Sequence, residues 1–163
     1  MQNADQPEFK ELPSEMVAYI EGRGSYLLAE ELFGRVRSWA VTMGYSRKGP
    51  ESLVFLDDPD PTPESGAHYE VWTPVSERAR TTPDDPVQVK QVPAQQALIR
   101  TLTGPQDPQQ IEPLYVELNQ WLSANGYDRS GAARWVYEQD PARLAVDQQL
   151  VTEFIFPVTK RGA

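Results

Sequence analysis

Glu153 stands in the run Thr152-Glu153-Phe154-Ile155-Phe156-Pro157-Val158, and Glu70 holds the same place in an earlier copy, Tyr69-Glu70-Val71-Trp72-Thr73-Pro74-Val75. A carboxylate set among large apolar side chains has two chemical uses. It attracts a cation that shares the poorly solvated site, or its pKa rises until it exchanges protons as an acid or base. The alternation of residues suited to a strand predicts that each run is one, ended by a proline that lacks a ladder donor. Period two then sends Glu153, Ile155 and Pro157 to one face and Phe154 and Phe156 to the other, so one face is core and the other carries the acid. Trp72 falls on the face of Glu70, where an indole can stack on a planar or cationic group. Trp135 and Tyr137, two residues apart, point the same way and either line a groove or pack beneath a helix. Tyr19 and Tyr26 are candidates for the rim of such a site. The bland reading of each acid is a solvated residue on the wet face of a strand. His68 reads as an exposed histidine after a loop, and Trp39 and Trp121 as core.

The elements that must position these groups come in two sets. Residues 1–8 read as a flexible N-terminus, and Phe9–Leu12 with Met16–Ile20 as a strand interrupted at Pro13. Gly22 and Gly24 turn the chain. A helix capped by Ser25 follows, with Leu28, Leu32, Phe33, Val36, Trp39 and Ala40 as its apolar stripe and Gly44 as its stop. Leu53–Leu56 is a short strand, and a proline-rich polar connection then leads to the strand of Glu70. Residues 76–86 read as a linker, after which the order restarts: a strand over 87–102 broken at Pro93, a helix over 111–125 with Pro113 in its first turn, a stop at Gly126, a strand at 134–137 and a last strand over 149–158. Positions 82 apart match through Gly22 and Gly104, Leu32 and Leu114, Trp39 and Trp121, Gly44 and Gly126, and Val54 and Val136; Glu70 and Glu153 are 83 apart. A nearly constant spacing across so many features is a duplication with small loop insertions. The expected fold is therefore α+β: a duplicated strand-helix-strand-strand unit, an antiparallel sheet with two main helices, and a pseudo-two-fold axis that turns both acids towards a central cleft. The domain spans 9–158, with repeat one at 9–75 and repeat two at 87–158.

Composition narrows the chemistry. The 163-residue chain has a formal net charge of −9, which opposes nonspecific binding to phosphate backbones and to anionic membranes and suits a cationic or neutral partner. It contains no cysteine and one histidine, so disulfides, thiolate catalysis and multi-histidine metal centres are excluded and no metal or cofactor is expected. Asp57, Asp58 and Asp60 do not form a calcium loop, because the interleaved prolines break its ligand spacing. With no leader-like or bilayer-length apolar segment, the expected location is the cytoplasm.

The doubled unit, Leu102-Thr103-Gly104-Pro105, Trp121 through Gly126-Tyr127, Val136-Tyr137 with Asp140-Pro141, and the run from Thr152 to Val158 together resemble the GyrI-like small-molecule-binding domain, which also serves as the effector domain of multidrug-sensing transcription regulators. The resemblance spans residues 9–158. It implies a cleft for bulky, often lipophilic cations, with Glu153 matching a cleft glutamate surrounded by aromatic residues. On that footing the expected function is a stand-alone binder of a lipophilic, aromatic or cationic compound, with Glu153 and Glu70 compensating charge and Trp72, Trp135, Tyr137 and Tyr19 supplying contact surface. Two alternatives stay open. Some relatives hydrolyse cyclopropane-bearing DNA alkylators, which implies Glu153 as general base and Tyr137 as proton donor; another type inhibits DNA gyrase by protein contact.

Overall fold

The computed structural model describes residues 7–24, 28–56, 67–103, 108–137 and 151–162. The polar connection over 57–66, Ser25, Tyr26, Gly104-Pro105 and Asp140-Pro141 lie outside those residues. The described elements are β1 (Glu8–Leu12), β2 (Glu15–Gly24), α1 (Ala29–Met43), β3 (Glu51–Phe55), β4 (Ala67–Pro74), β5 (Gln88–Val92), β6 (Gln95–Thr103), α2 (Pro108–Asn125), β7 (Tyr127–Arg129), β8 (Arg134–Tyr137) and β9 (Val151–Lys160). They confirm the doubled strand-helix-strand-strand order and the α+β class. No helix among the described residues is long and apolar enough to cross a membrane.

The chain divides into two compact units, residues 13–94 and residues 1–12 with 95–163. Each is described on its own. In the first, β2 lies between β4 and β5, and β3 pairs with the far side of β4, all antiparallel. Period two gives this sheet one face of Ala18, Gly22, Leu53, Phe55, Tyr69, Val71 and Thr73, against which α1 packs through Phe33, Val36 and Ala40. The helix-to-sheet contact is fixed by a half-buried ion pair: Arg37 donates to Glu51 at 2.6–3.1 Å, and the Thr73 hydroxyl donates to the same carboxylate at 3.0 Å. α1 ends at Gly44 in the left-handed region, φ 78°, where the Gly44 and Tyr45 amides close onto Val41 and Ala40.

In the second unit the order is β1, β6, β9, β8, with β7 beside the C-terminal part of β9. Phe154, Phe156, Leu98 and Val158 form its core with Leu118 and Leu122 of α2, and Tyr115, Trp121 and Tyr127 pack around them. Arg100 donates to Glu117 at 2.6 Å and ties sheet to helix, the counterpart of Arg37 and Glu51. The opposite face is a smaller apolar cluster of Ala97, Ile99, Val136 and Ile155 with Leu12 against it.

Several expectations change. The strand interrupted at Pro13 is two strands in different units: β1 pairs with β6 of the second unit, and β5 pairs with β2 of the first. The units therefore exchange their leading strands relative to the sequence repeats 9–75 and 87–158. Residues 76–86 are not a bare linker, because Ala79 is fully buried and Asp85 accepts from the Thr82 amide at 2.8 Å. α2 begins at Pro108, so Pro113 sits past the first turn and removes an interior bond instead of an orphan donor. Pro157 does not end its strand; β9 runs on to Lys160, with Pro157 opposite Ala97 and its carbonyl accepting from the Ser130 amide at 2.9 Å. Gly22 lies within β2 instead of a turn, and it pairs with Tyr69 where Leu102 pairs with Thr152. Its structural equivalent is thus Leu102, two residues before Gly104.

Candidate functional site

The sheet face of the first unit opposite α1 carries Tyr19, Glu70, Trp72 and Lys90. The register explains the grouping. Tyr19 is opposite Trp72 and Glu21 opposite Glu70 across β2 and β4, while Lys90 is opposite Val17 across β5 and β2. All these positions have the same parity, so their side chains leave the sheet on one side.

Glu70 is buried, 7% exposed, and its Oε1 accepts two hydrogen bonds, from the Trp72 indole Nε1 at 2.8 Å and from the Lys90 ammonium at 2.6 Å. The same ammonium lies 4.3 Å from the centroid of the Tyr19 ring and 5.2 Å from that of Trp72. Both distances are within the range of a cation–π interaction. One positive charge is thus held by a carboxylate and two aromatic rings. The bond from Trp72 also fixes the indole, which leaves its ring beside the charge instead of free to turn away. Burial of Glu70 without a cation costs several kcal/mol by the usual order of such penalties, so the position demands a positive partner.

Beyond this cage, His68 Nε2 lies 3.0 Å from Glu21 Oε2. The neighbouring His68 imidazole holds the Glu21 carboxyl below its ordinary value. Neither Lys90 nor Glu21 stands out in the sequence, and His68, which reads there as exposed, is only 22% exposed in the fold. Period two within 87–92 places Lys90 on a definite strand face, but only the exchange of β5 into the first unit brings it to Glu70.

Glu153 lies on the second unit's face opposite α2, across from Val136 on β8 and Thr101 on β6. It borders the apolar cluster of Ile99, Val136 and Ile155. Arg134, 6% exposed, is paired with Ile155 and shares this face, so a buried guanidinium accompanies the acid. By register, Ile99 and Ile155 correspond to Tyr19 and Trp72, and Lys10 corresponds to Lys90. The carboxylate is repeated in the two units, and the aromatic box is not.

The expected company of Glu153 with Trp135 and Tyr137 needs correcting. Val136 is the residue opposite Glu153, so Trp135 and Tyr137 leave β8 on the other face. There Trp135 packs on Phe154 at 5.8 Å between ring centroids, as part of the surroundings of the α2 core. Tyr137 shares that parity, which removes it as a proton donor beside Glu153. Trp39 and Trp121 are half-buried, stacked on Tyr45 and Tyr127 at 5.5 and 5.6 Å.

A family model, the GyrI-like small molecule binding domain, matches residues 5–159. Among solved structures, the C-terminal domain of EcmrR superposes with a TM-score of 0.80 at 20% identity, covering 95% of this chain and 98% of that one. In the EcmrR–DNA complex the same likeness, TM-score 0.81, extends over only 57% of the EcmrR chain. A hydrolase encoded by lin2189 from Listeria innocua matches with a TM-score of 0.67 at 14% identity, covering 95% of this chain and 92% of that one. SAV2435 bound to tetraphenylphosphonium matches with a TM-score of 0.59 at 11% identity and 94% of each chain. A comparison with curated proteins finds no match. At these identities the solved structures speak to the fold alone, and it is the family model, matched over nearly the whole chain, that carries assignment: the protein belongs to the GyrI-like small-molecule-binding domain family.

Proposed function

We propose that the protein captures an organic cation with a flat, apolar body, and that in the first unit Glu70, Trp72 and Tyr19 hold its charge. The observation that carries this reading is the seating of the Lys90 ammonium against one carboxylate and two rings. A group of that charge and size already satisfies the site, so a ligand's ammonium or guanidinium head meets the same three partners. Each ring contributes on the order of 0.5–2 kcal/mol to such a contact; a head that carries N–H adds a hydrogen bond to the carboxylate of about 1.5–3 kcal/mol, and a quaternary head pairs with it through charge alone. The surrounding net charge of −9 adds long-range attraction for cations and repels anions. Glu153, bordered by Ile99, Val136 and Ile155, offers a second carboxylate against an apolar wall in the other unit. SAV2435, a protein of the same fold, is bound to the lipophilic cation tetraphenylphosphonium, which agrees in ligand class.

Isothermal titration with benzyltrimethylammonium tests the reading. Glu70→Gln keeps the shape of the side chain and removes the charge that faces the quaternary head, so affinity is expected to fall by about tenfold or more. Equal affinity in the wild type and Glu70→Gln would remove Glu70 from the site.

A further inference from the structure

The group that reveals the cage also fills it. Lys90 comes from β5, is tethered by its own stem, and its side chain remains 37% exposed while that of Glu70 is 9% exposed. A ligand cation and the Lys90 ammonium want the same volume: against Glu70 Oε1 and over the faces of Tyr19 and Trp72. Both cannot be there. We propose that Lys90 is a resident competitor, an internal cation that occupies the Glu70 cage until a ligand displaces it and so sets which cations bind.

Glu70 is buried and would be left with an uncompensated charge in an empty cage, and Lys90 prevents that state. The partial exposure of the lysine gives its ammonium a short path into water, where hydration compensates its departure. A binding-competent state that is only fractionally populated reduces apparent affinity by that fraction, so the lysine acts as a filter. A small, strongly hydrated ammonium has nothing to offer over Lys90. A quaternary ammonium with an aromatic body brings weaker hydration and additional apolar area, and it wins the exchange.

This inference rests on the cation-binding reading, and the experiment separates the two. Benzyltrimethylammonium is titrated into wild type, Lys90→Met, Lys90→Arg and the Lys90→Met/Glu70→Gln double variant. Methionine keeps the apolar stem and removes the charge, and is expected to tighten binding by about tenfold. Arginine keeps the competitor and should leave affinity near the wild-type value, and the double variant should lose the gain. Binding by wild type and Lys90→Met with the same affinity, or weaker binding by Lys90→Met, overturns the competitor and leaves the cation site standing. Absence of binding to every variant overturns both. An independent readout uses the wild type alone: the Lys90 ε-methylene protons, shifted upfield by the rings of Tyr19 and Trp72, should move to the position of a solvated lysine as the cation is added. Saturation of the protein with cation and no movement of that resonance contradicts displacement even if a variant fails to fold.

Discussion

Glu21 and His68 are diagonal neighbours two positions out of register across β2 and β4, with the imidazole Nε2 3.0 Å from the carboxylate. The contact stabilises the ionised acid and holds its pKa below the ordinary carboxylate value. A depressed carboxylate contributes stability that is present above its unfolded-state value and disappears as pH falls through its folded value. The side chain is half-exposed, so solvent screening keeps that contribution small. The expected outcome for His68→Gln is an upward move of the Glu21 midpoint towards 4.5, followed by carboxyl-carbon NMR; an unmoved midpoint assigns the depression to another cause. Gly22 offers a second test at this scale. A Cβ there would sit 2.5 Å from the Tyr69 ring and 2.8 Å from Leu32, because strand and helix close on one another at that point. Gly22→Ala is therefore expected to cost roughly 1–3 kcal/mol in denaturant unfolding, as overpacking does. A neutral result would mean that Tyr69 has room to move. That Glu70 and Trp72 share one face of a strand was legible from their spacing. The role of Gly22 was not, because a close approach between a strand and a buried ring leaves no periodic trace.

At the scale of elements, the strands of Glu70 and Glu153 and both helix stops were readable because period two, period 3.6 and a left-handed glycine each reflect local physics. Partner choice is not local. Nothing in the alternation of Val87–Val92 tells whether β5 pairs within its own repeat, and its pairing with β2 is what brings Lys90 to Glu70. The face of β8 was open for the same reason: two residues with the same parity are certain to point together, but the register with β9 decides that Val136, and not Trp135, accompanies Glu153. α2 yields a prediction of its own. Pro113 lies inside the helix on an exposed position, where it lacks a donor and crowds the preceding turn. Pro113→Ala should stabilise the protein by roughly 2 kcal/mol, the interior penalty of about 3 less the entropy returned to the unfolded chain. Thermal unfolding reads this as a higher Tm, and a lower Tm would show that the proline fits a bend that alanine does not.

On the scale of the whole molecule, the duplication written in the sequence gives two units that share a plan and differ in chemistry. Both carry a helix tied to its sheet by an arginine–glutamate pair and a glutamate on the opposite sheet face. Among the described residues, the first surrounds that glutamate with a tyrosine, a tryptophan and a lysine, and the second has isoleucines in the aromatic places and a buried arginine on the same face. Because β1 and β5 are exchanged, a fragment cut at the sequence repeats would lose the lysine of the cage, whereas residues 13–94 retain it. Selection for positive charge is what the proposed cage is expected to provide. It is tested most directly by comparing, in one calorimetric competition series, benzyltrimethylammonium with neopentylbenzene, its uncharged isostere. The cation is expected to bind the wild type about tenfold more tightly than the hydrocarbon, and Glu70→Gln to abolish the preference. Equal binding of the two compounds by the wild type would contradict it.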